Sequence, residues 1–241
     1  MGLLSFISKR HLMPAPFRGL GKATSPIGSR IDPPAAYWAL GVGLATVAVD
    51  WLLFGLARYP ESSEGRWALA LTSCAVQVRL AQGHLPSLGL AAPVQGWGRW
   101  ARIGSYLLCV VAGIAAMVFM IWMYGRRDLP DHLMSPQTLR SAFVPMCVLY
   151  PLLEESIYRG TLCIGVAAIS GERWAIVLSG IAFAVLHWIY GNVSPENQLG
   201  GFVLAWAFVR SGSIAVPLIL HAGGNGLVWL AHLGANLWLV P

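Results

Sequence analysis

A succession of apolar runs, each parted from the next by a short polar break, constrains this chain more than any other feature. A helix needs about 20 mostly apolar residues to cross the hydrocarbon core of a bilayer. The runs 35–57 and 103–124 meet that length, and weaker ones follow near 67–82, 141–169, 174–190, 198–210, 213–226 and 227–240. In lipid the backbone must satisfy its own hydrogen bonds, so runs of this kind fold as helices. The expected fold class is therefore all-α, a polytopic transmembrane bundle of about eight membrane helices. Charge supports this reading. Only 11% of the residues are charged, against about 25% in soluble globular proteins. So few charges cannot coat a water-facing surface, and lipid must be the solvent. The 11 tryptophans suit the two membrane interfaces, where amphipathic rings settle.

Two regions follow from the distribution of charge. Residues 1–34 hold Lys9, Arg10, Arg18, Lys22 and Arg30 among Pro, Gly and Ser. The apolar patch Leu3, Leu4, Phe6 and Ile7 is too short for a signal-peptide core. This stretch reads as a basic, partly interfacial cytoplasmic arm, and 35–241 as the transmembrane domain. The net charge is +6, but the arginines lie between apolar runs rather than on one soluble face, which argues against nucleic-acid binding. Positive residues there orient helices. With the N-terminus inside, the cytoplasmic side receives the arm together with Arg99, Arg102, Arg173 and Arg210; the far side receives Arg58, Arg66, Arg126, Arg127 and Arg140. The larger count favours a cytoplasmic N-terminus. Cys74, Cys109, Cys147 and Cys163 all sit in apolar segments without a CxxC pattern, which excludes zinc-ribbon and thioredoxin chemistry.

Ionisable groups at bilayer depth are costly and so mark function. The segment P-L-L-E-E-S-I-Y-R-G carries Glu154, Glu155 and Arg159; His187 ends F-A-V-L-H; His221 opens H-A-G-G-N, with Asn225 one turn on. Residues four apart share a helix face, while adjacent ones diverge by roughly 100°. Glu155 and Arg159 should therefore stack as a charge-assisted pair. Glu154 points elsewhere, desolvated and without an arginine of its own, as suits a general base near neutral pH. A histidine beside it could orient a water and shuttle its proton. His221 and Asn225, one turn apart, can both donate to a single oxygen, the requirement of an oxyanion site. Gly223, Gly224 and Gly226 remove side chains beside that pair and permit close approach of a neighbouring chain. A lone polar residue such as Asp50 or His232 reads instead as an interhelical hydrogen-bond partner.

The triple pattern resembles the CPBP family, the CAAX proteases and bacteriocin-processing enzymes also called Abi proteins. Its members carry EExxxR, FxxxH and HxxxN or HxxxD on separate membrane helices. Here E-E-S-I-Y-R (154–159) extended by Gly160, F-A-V-L-H (183–187) and H-A-G-G-N (221–225) match in order, and the likeness covers roughly 141–232. The resemblance implies an intramembrane endopeptidase in which Glu154 and His187 activate the attacking water. Glu155 and Arg159 would support them, and His221 with Asn225 would stabilise the oxyanion.

The family was named for metalloproteases, and a glutamate with two histidines could ligate zinc in an open site. There is no HExxH and Asn225 is a poor zinc ligand, so no cofactor is expected to be required. A rhomboid lacks its GxSG here, a presenilin-like enzyme its second intramembrane aspartate, and a site-2 peptidase its HExxH. The standing alternative is a non-catalytic scaffold, immunity protein or transporter on the same fold. Expected partners are the bilayer and a membrane-anchored protein or peptide substrate. The arginine-rich, lysine-poor composition suggests a bacterial inner membrane as the location, with leader peptides or C-terminal anchors, including lipid-modified ones, as substrates in place of prenylated ones.

Overall fold

The computed structural model describes residues 25–56, 64–125 and 134–239. Residues 1–24 of the basic arm, with Lys9, Arg10, Arg18 and Lys22, lie outside them, as do Arg58, Arg126 and Arg127. The described chain is helical, with no strand among these residues. Proline and serine set several helix starts. Helix α1 (Pro33–Val49) has proline in its first turn, where the missing N–H costs nothing. Helices α4 (Pro136–Val144) and α8 (Pro195–Ser211) each follow a serine whose side chain caps the first turn, Ser135 onto Thr138 and Ser194 onto Asn197. That serine oxygen satisfies an otherwise orphaned N–H.

Between them run α2 (Glu64–Leu80), a 3-10 turn (Leu85–Leu88) and α3 (Trp97–Gly125). From α4 the chain continues without a break through α5 (Tyr150–Ile157) and α6 (Ile164–Ser170), joined by π-helical turns at Pro145–Leu149 and Tyr158–Cys163. Pro145 and Pro151 explain the first of these, because each removes an N–H from the regular ladder. A further π turn, Asp50–Leu56, extends α1. Helix α7 (Glu172–Ile189) and helix α9 (Ala215–Leu239) complete the bundle.

The runs 213–226 and 227–240, expected as two helices, are a single one. Gly223, Gly224 and Gly226 do not interrupt it, since in lipid a break would strand backbone groups without partners. Counting α4–α6 as one rod, the described residues form seven rods rather than eight. Three segments among them are long and apolar enough to cross a membrane: Pro33–Leu56, Glu172–Ile189 and Ala215–Leu237. Leu44, Leu52, Leu71, Ile114 and Ile219 are exposed on the outside of the bundle, an arrangement that only lipid makes favourable. The protein is an integral membrane protein.

Glycines set the closest helix crossings. A Cβ on Gly165 would lie 2.6 Å from Leu40 Cα and one on Gly43 2.7 Å from Leu162 Cα, so α1 crosses the rod with backbones nearly touching. A Cβ on Gly201 of α8 would sit 2.9 Å from both Gly180 O and Phe183 Cβ of α7. Small residues at crossings of this kind are how membrane helices gain van der Waals contact.

The two ends of the bundle differ. At the end where α1 begins, Gly28 N–H donates to Ser87 O (2.9 Å), Val94 N–H to Ser211 O (2.9 Å) and Ile214 N–H to Gly89 O (2.8 Å). Arg210 pairs with Glu172 (2.9 Å), whose other oxygen accepts from Ser25 N–H (2.9 Å). Loops 25–31, 85–96 and 210–214 thus knit into one floor. At the opposite end α1 stops, α2 starts and α7 stops, with Gly55 against Ile189 and Arg66 over the Tyr190 ring (5.4 Å).

Candidate active site

The acidic segment occupies α5 and the π turn after it. Glu155 Oε1 accepts from Arg159 Nη1 at 3.1 Å across one helical turn, and both side chains are buried. The guanidinium continues to Gly201 O (2.8 Å). That carbonyl is reachable because Gly201 carries no side chain. Arg159 also lies 4.7 Å over the Phe183 ring, a cation–π contact worth most when desolvated.

Phe183 is the hub of the site. Its ring meets His187 at 4.5 Å, His221 at 5.6 Å edge-on and Tyr158 at 5.6 Å edge-on. One ring therefore seats both histidines of the pattern. The first residue of F-A-V-L-H is a structural platform for the two histidines.

His221 sits between the two glutamates. Its Nδ1 is 2.9 Å from Glu155 Oε1 and its Nε2 is 3.7 Å from Glu154 Oε2. As the carboxylate partner of Arg159, Glu155 accepts, and His221 Nδ1 is then the donor of this bond. A lone pair on Nε2 would then face the Glu154 carboxylate, which is unfavourable unless one of the two bears a proton. At 3.7 Å this second contact is longer than a hydrogen bond, so His221 Nε2 faces Glu154 across a small gap. Glu155 is buried and Glu154 is 13% exposed. One glutamate is locked into the network and its neighbour faces outward.

His187 stands on α7 with Nδ1 at 3.0 Å from Phe183 O, one turn back on its own helix. A carbonyl only accepts, so Nδ1 donates this bond, which leaves Nε2 for a second partner. Asn225 lies one turn beyond His221 and donates Nδ2 to Met146 O at 2.8 Å. The π turn explains this partner. Tyr150 N–H bonds Pro145 O five residues back; in that register Met146 O would await residue 151, which is proline and has no N–H. Asn225 fills the vacancy and retains a second amide hydrogen. A Cβ at Gly224 or Gly226 would meet open space, and one at Gly223 would meet Leu108 at 3.1 Å. Only Gly223 therefore takes a neighbouring helix.

A second buried charge network adjoins the first. Asp50, fully buried, receives Arg66 at two points, Nε to Oδ1 at 2.7 Å and Nη2 to Oδ2 at 3.1 Å. Tyr158 OH donates to Asp50 Oδ2 (3.0 Å) and accepts from Trp51 Nε1 (3.0 Å). Arg66, expected as a topology charge, is an internal ion-pair partner, because an unpaired aspartate at this depth would be far more costly. Opposite charges in separate apolar runs were the signal for this pair, but spacing alone does not show which helices meet. Asp50 does act as an interhelical hydrogen-bond partner, linking α1, α2 and the rod. Among the described residues no three His, Cys, Asp or Glu side chains are grouped to hold a metal ion.

A helical membrane protein with two histidines on one aromatic ring, one of them set between a pair of glutamates, is thus the class that fold and site define. Residues 136–227 match the family model described as Type II CAAX prenyl endopeptidase Rce1-like; the match runs from the first residue of α4 to just past Asn225 and includes all three motifs. The matched family is one of CAAX-type proteases, and this chain is similar to it over that stretch. A curated relative, the "Uncharacterized 24.3 kDa protein" of Escherichia coli, is 27% identical over 123 residues, 49% of this chain and 54% of that protein. The chain thus spans about half the length of this relative. No solved structure matches the chain.

Proposed function

We propose that the protein is an intramembrane endopeptidase that hydrolyses a peptide bond of a membrane-anchored protein or peptide, using Glu154, His187, His221 and Asn225. The observation that carries this reading is the position of His221 between the two glutamates. With a proton on His221 Nε2 and Glu154 as the carboxylate, Glu154 is the base and His221 Nε2–H is a donor. A water then loses its proton to Glu154 while its oxygen attacks the scissile carbonyl carbon, with His187 Nε2 as the second acceptor that aligns it. The tetrahedral oxyanion takes hydrogen bonds from His221 Nε2–H and the second Asn225 amide hydrogen. The C–N bond breaks as the proton on Glu154 passes to the departing amine. Glu155 and Arg159 hold His221 in place and are positioning residues.

This chemistry needs no resident metal, so a chelator such as 1,10-phenanthroline should leave cleavage intact; loss of activity restored by added zinc would overturn that part. The location we propose is the bacterial inner membrane, with the basic N-terminal arm in the cytoplasm, as the distribution of positive charge supports. The substrates are leader peptides or C-terminal anchors of membrane proteins, including lipid-modified ones.

Purified protein in detergent, given candidate membrane-anchored substrates, tests the activity. Cleavage that disappears in Glu154→Ala supports the peptidase. A cellular effect that survives Glu154→Ala supports a scaffold or immunity protein, and substrate flux in proteoliposomes a transporter.

A further inference from the structure

We infer that Asp50, Trp51 and Arg66, which lie outside the matched stretch 136–227, are positioning residues of the active site: through Tyr158 they fix the ring on which His187 and His221 stand. The catalytic half of this statement rests on the peptidase reading above; the geometric half does not.

Phe183 has no polar group, so packing alone sets the place of its ring. Arg159 lies over it at 4.7 Å, His187 at 4.5 Å, and His221 and Tyr158 meet it edge-on at 5.6 Å each. The histidines are the groups to be placed, which leaves Arg159 and Tyr158 as the supports. Arg159 is fixed from within the matched stretch, by Glu155 and Gly201 O. Tyr158 is fixed from outside it.

The Tyr158 side chain is fully buried. Its N–H bonds Glu154 O, so Tyr158 shares the helix face of Glu154 as Arg159 shares that of Glu155. Its carbonyl accepts from Ser179 Oγ at 3.1 Å. At the far end of the ring, the hydroxyl donates to Asp50 Oδ2 and accepts from Trp51 Nε1, both at 3.0 Å. Asp50 in turn is gripped at both oxygens by Arg66, at 2.7 Å and 3.1 Å. A two-point arginine–carboxylate contact fixes direction as well as distance. The ring is thus tied at its backbone and at its tip, and can neither tilt nor slide away from Phe183.

Holding the helices together does not require these charges. Gly43 against Leu162 and Gly165 against Leu40 already seat α1 on the rod. An apolar cluster in place of a buried ion pair is often as stable or more so. What apolar packing lacks is a fixed direction, and reacting groups must be held to within about 0.5 Å by side chains that are themselves locked.

Histidine spectra of the full chain in detergent test the geometry without any need for activity. Carbon-13 is placed at histidine Cε1, and the two site signals are assigned from His187→Gln and His221→Gln. Two variants cut the link. Asp50→Ala combined with Arg66→Met removes both charges together, which retains much of the stability; Tyr158→Phe keeps the ring and loses its hydroxyl. In each, the His187 and His221 signals are expected to shift or broaden, while that of His84, bonded to Ser87 beside the floor, stays in place. The yield of new membrane-protein termini in cells should fall about tenfold to a hundredfold, as misplacement by about 1 Å does to a rate, even where the melting temperature matches the wild type. Site signals and cleavage both unchanged in a stable variant would mark the network as purely structural and overturn the inference. Signals that shift without loss of cleavage overturn the positioning role as well. If the signals shift in both variants but the wild type itself cleaves nothing, the geometric half stands and the peptidase reading is removed instead.

Discussion

At the residue scale, the site depends on a chain of charges, each held by the next: Gly201 O, Arg159, Glu155, His221 and Glu154. Removing one member of a buried pair strands the other and costs about 3–5 kcal/mol. Glu155→Ala should therefore lower the melting temperature in detergent as well as activity. Glu154→Gln, at the outward end of the chain, should remove cleavage with little change in melting temperature. If thermal denaturation shows the two variants equally destabilised, the division between a locked and a working glutamate is wrong. The second network gives a similar test. Asp50→Ala alone should destabilise by about 3–5 kcal/mol, and adding Arg66→Met should recover much of the loss, as replacing a whole buried pair by apolar groups does. The Glu155–Arg159 pair was legible in the sequence because both partners lie on one helix, where a spacing of four fixes the face. The Asp50–Arg66 pair was not. Sixteen residues separate its partners, which lie on different helical segments, and no periodicity connects one helix with another.

At the element scale, prolines and glycines do most of the positioning. Pro151 frees Met146 O in the π register, and Asn225 draws α9 onto the rod by accepting that role. The HxxxN spacing was readable, but the acceptor was not, since it exists only because the rod is π-wound there. The glycines also divide into two kinds that look alike in sequence. Gly201→Ala places a methyl 2.9 Å from Gly180 O and Phe183 Cβ, so it should cost about 1–3 kcal/mol by overpacking and shift Phe183 beneath both histidines. Gly224→Ala enters open space and should be neutral or stabilising by up to about 1 kcal/mol through helix propensity. Melting curves of the two variants in the same detergent check the contrast; a Gly224→Ala protein less stable than Gly201→Ala would contradict it.

At the scale of the whole molecule, scarcity of charge identified a membrane bundle, and three ordered motifs located its core. What the sequence could not supply was the number of rods. A hydropathy dip and a glycine cluster near 223–226 imitate a helix boundary, yet the helix continues because a break in lipid has no water to satisfy it. The central claim is that this bundle hydrolyses peptide bonds through Glu154. The most direct measurement is a mass-spectrometric comparison of protein N- and C-termini in membranes from cells producing equal amounts of the wild type or Glu154→Gln. Matched new termini from a membrane protein should occur with the wild type and vanish with the variant. Identical termini in the two membranes, with both proteins folded, would contradict it.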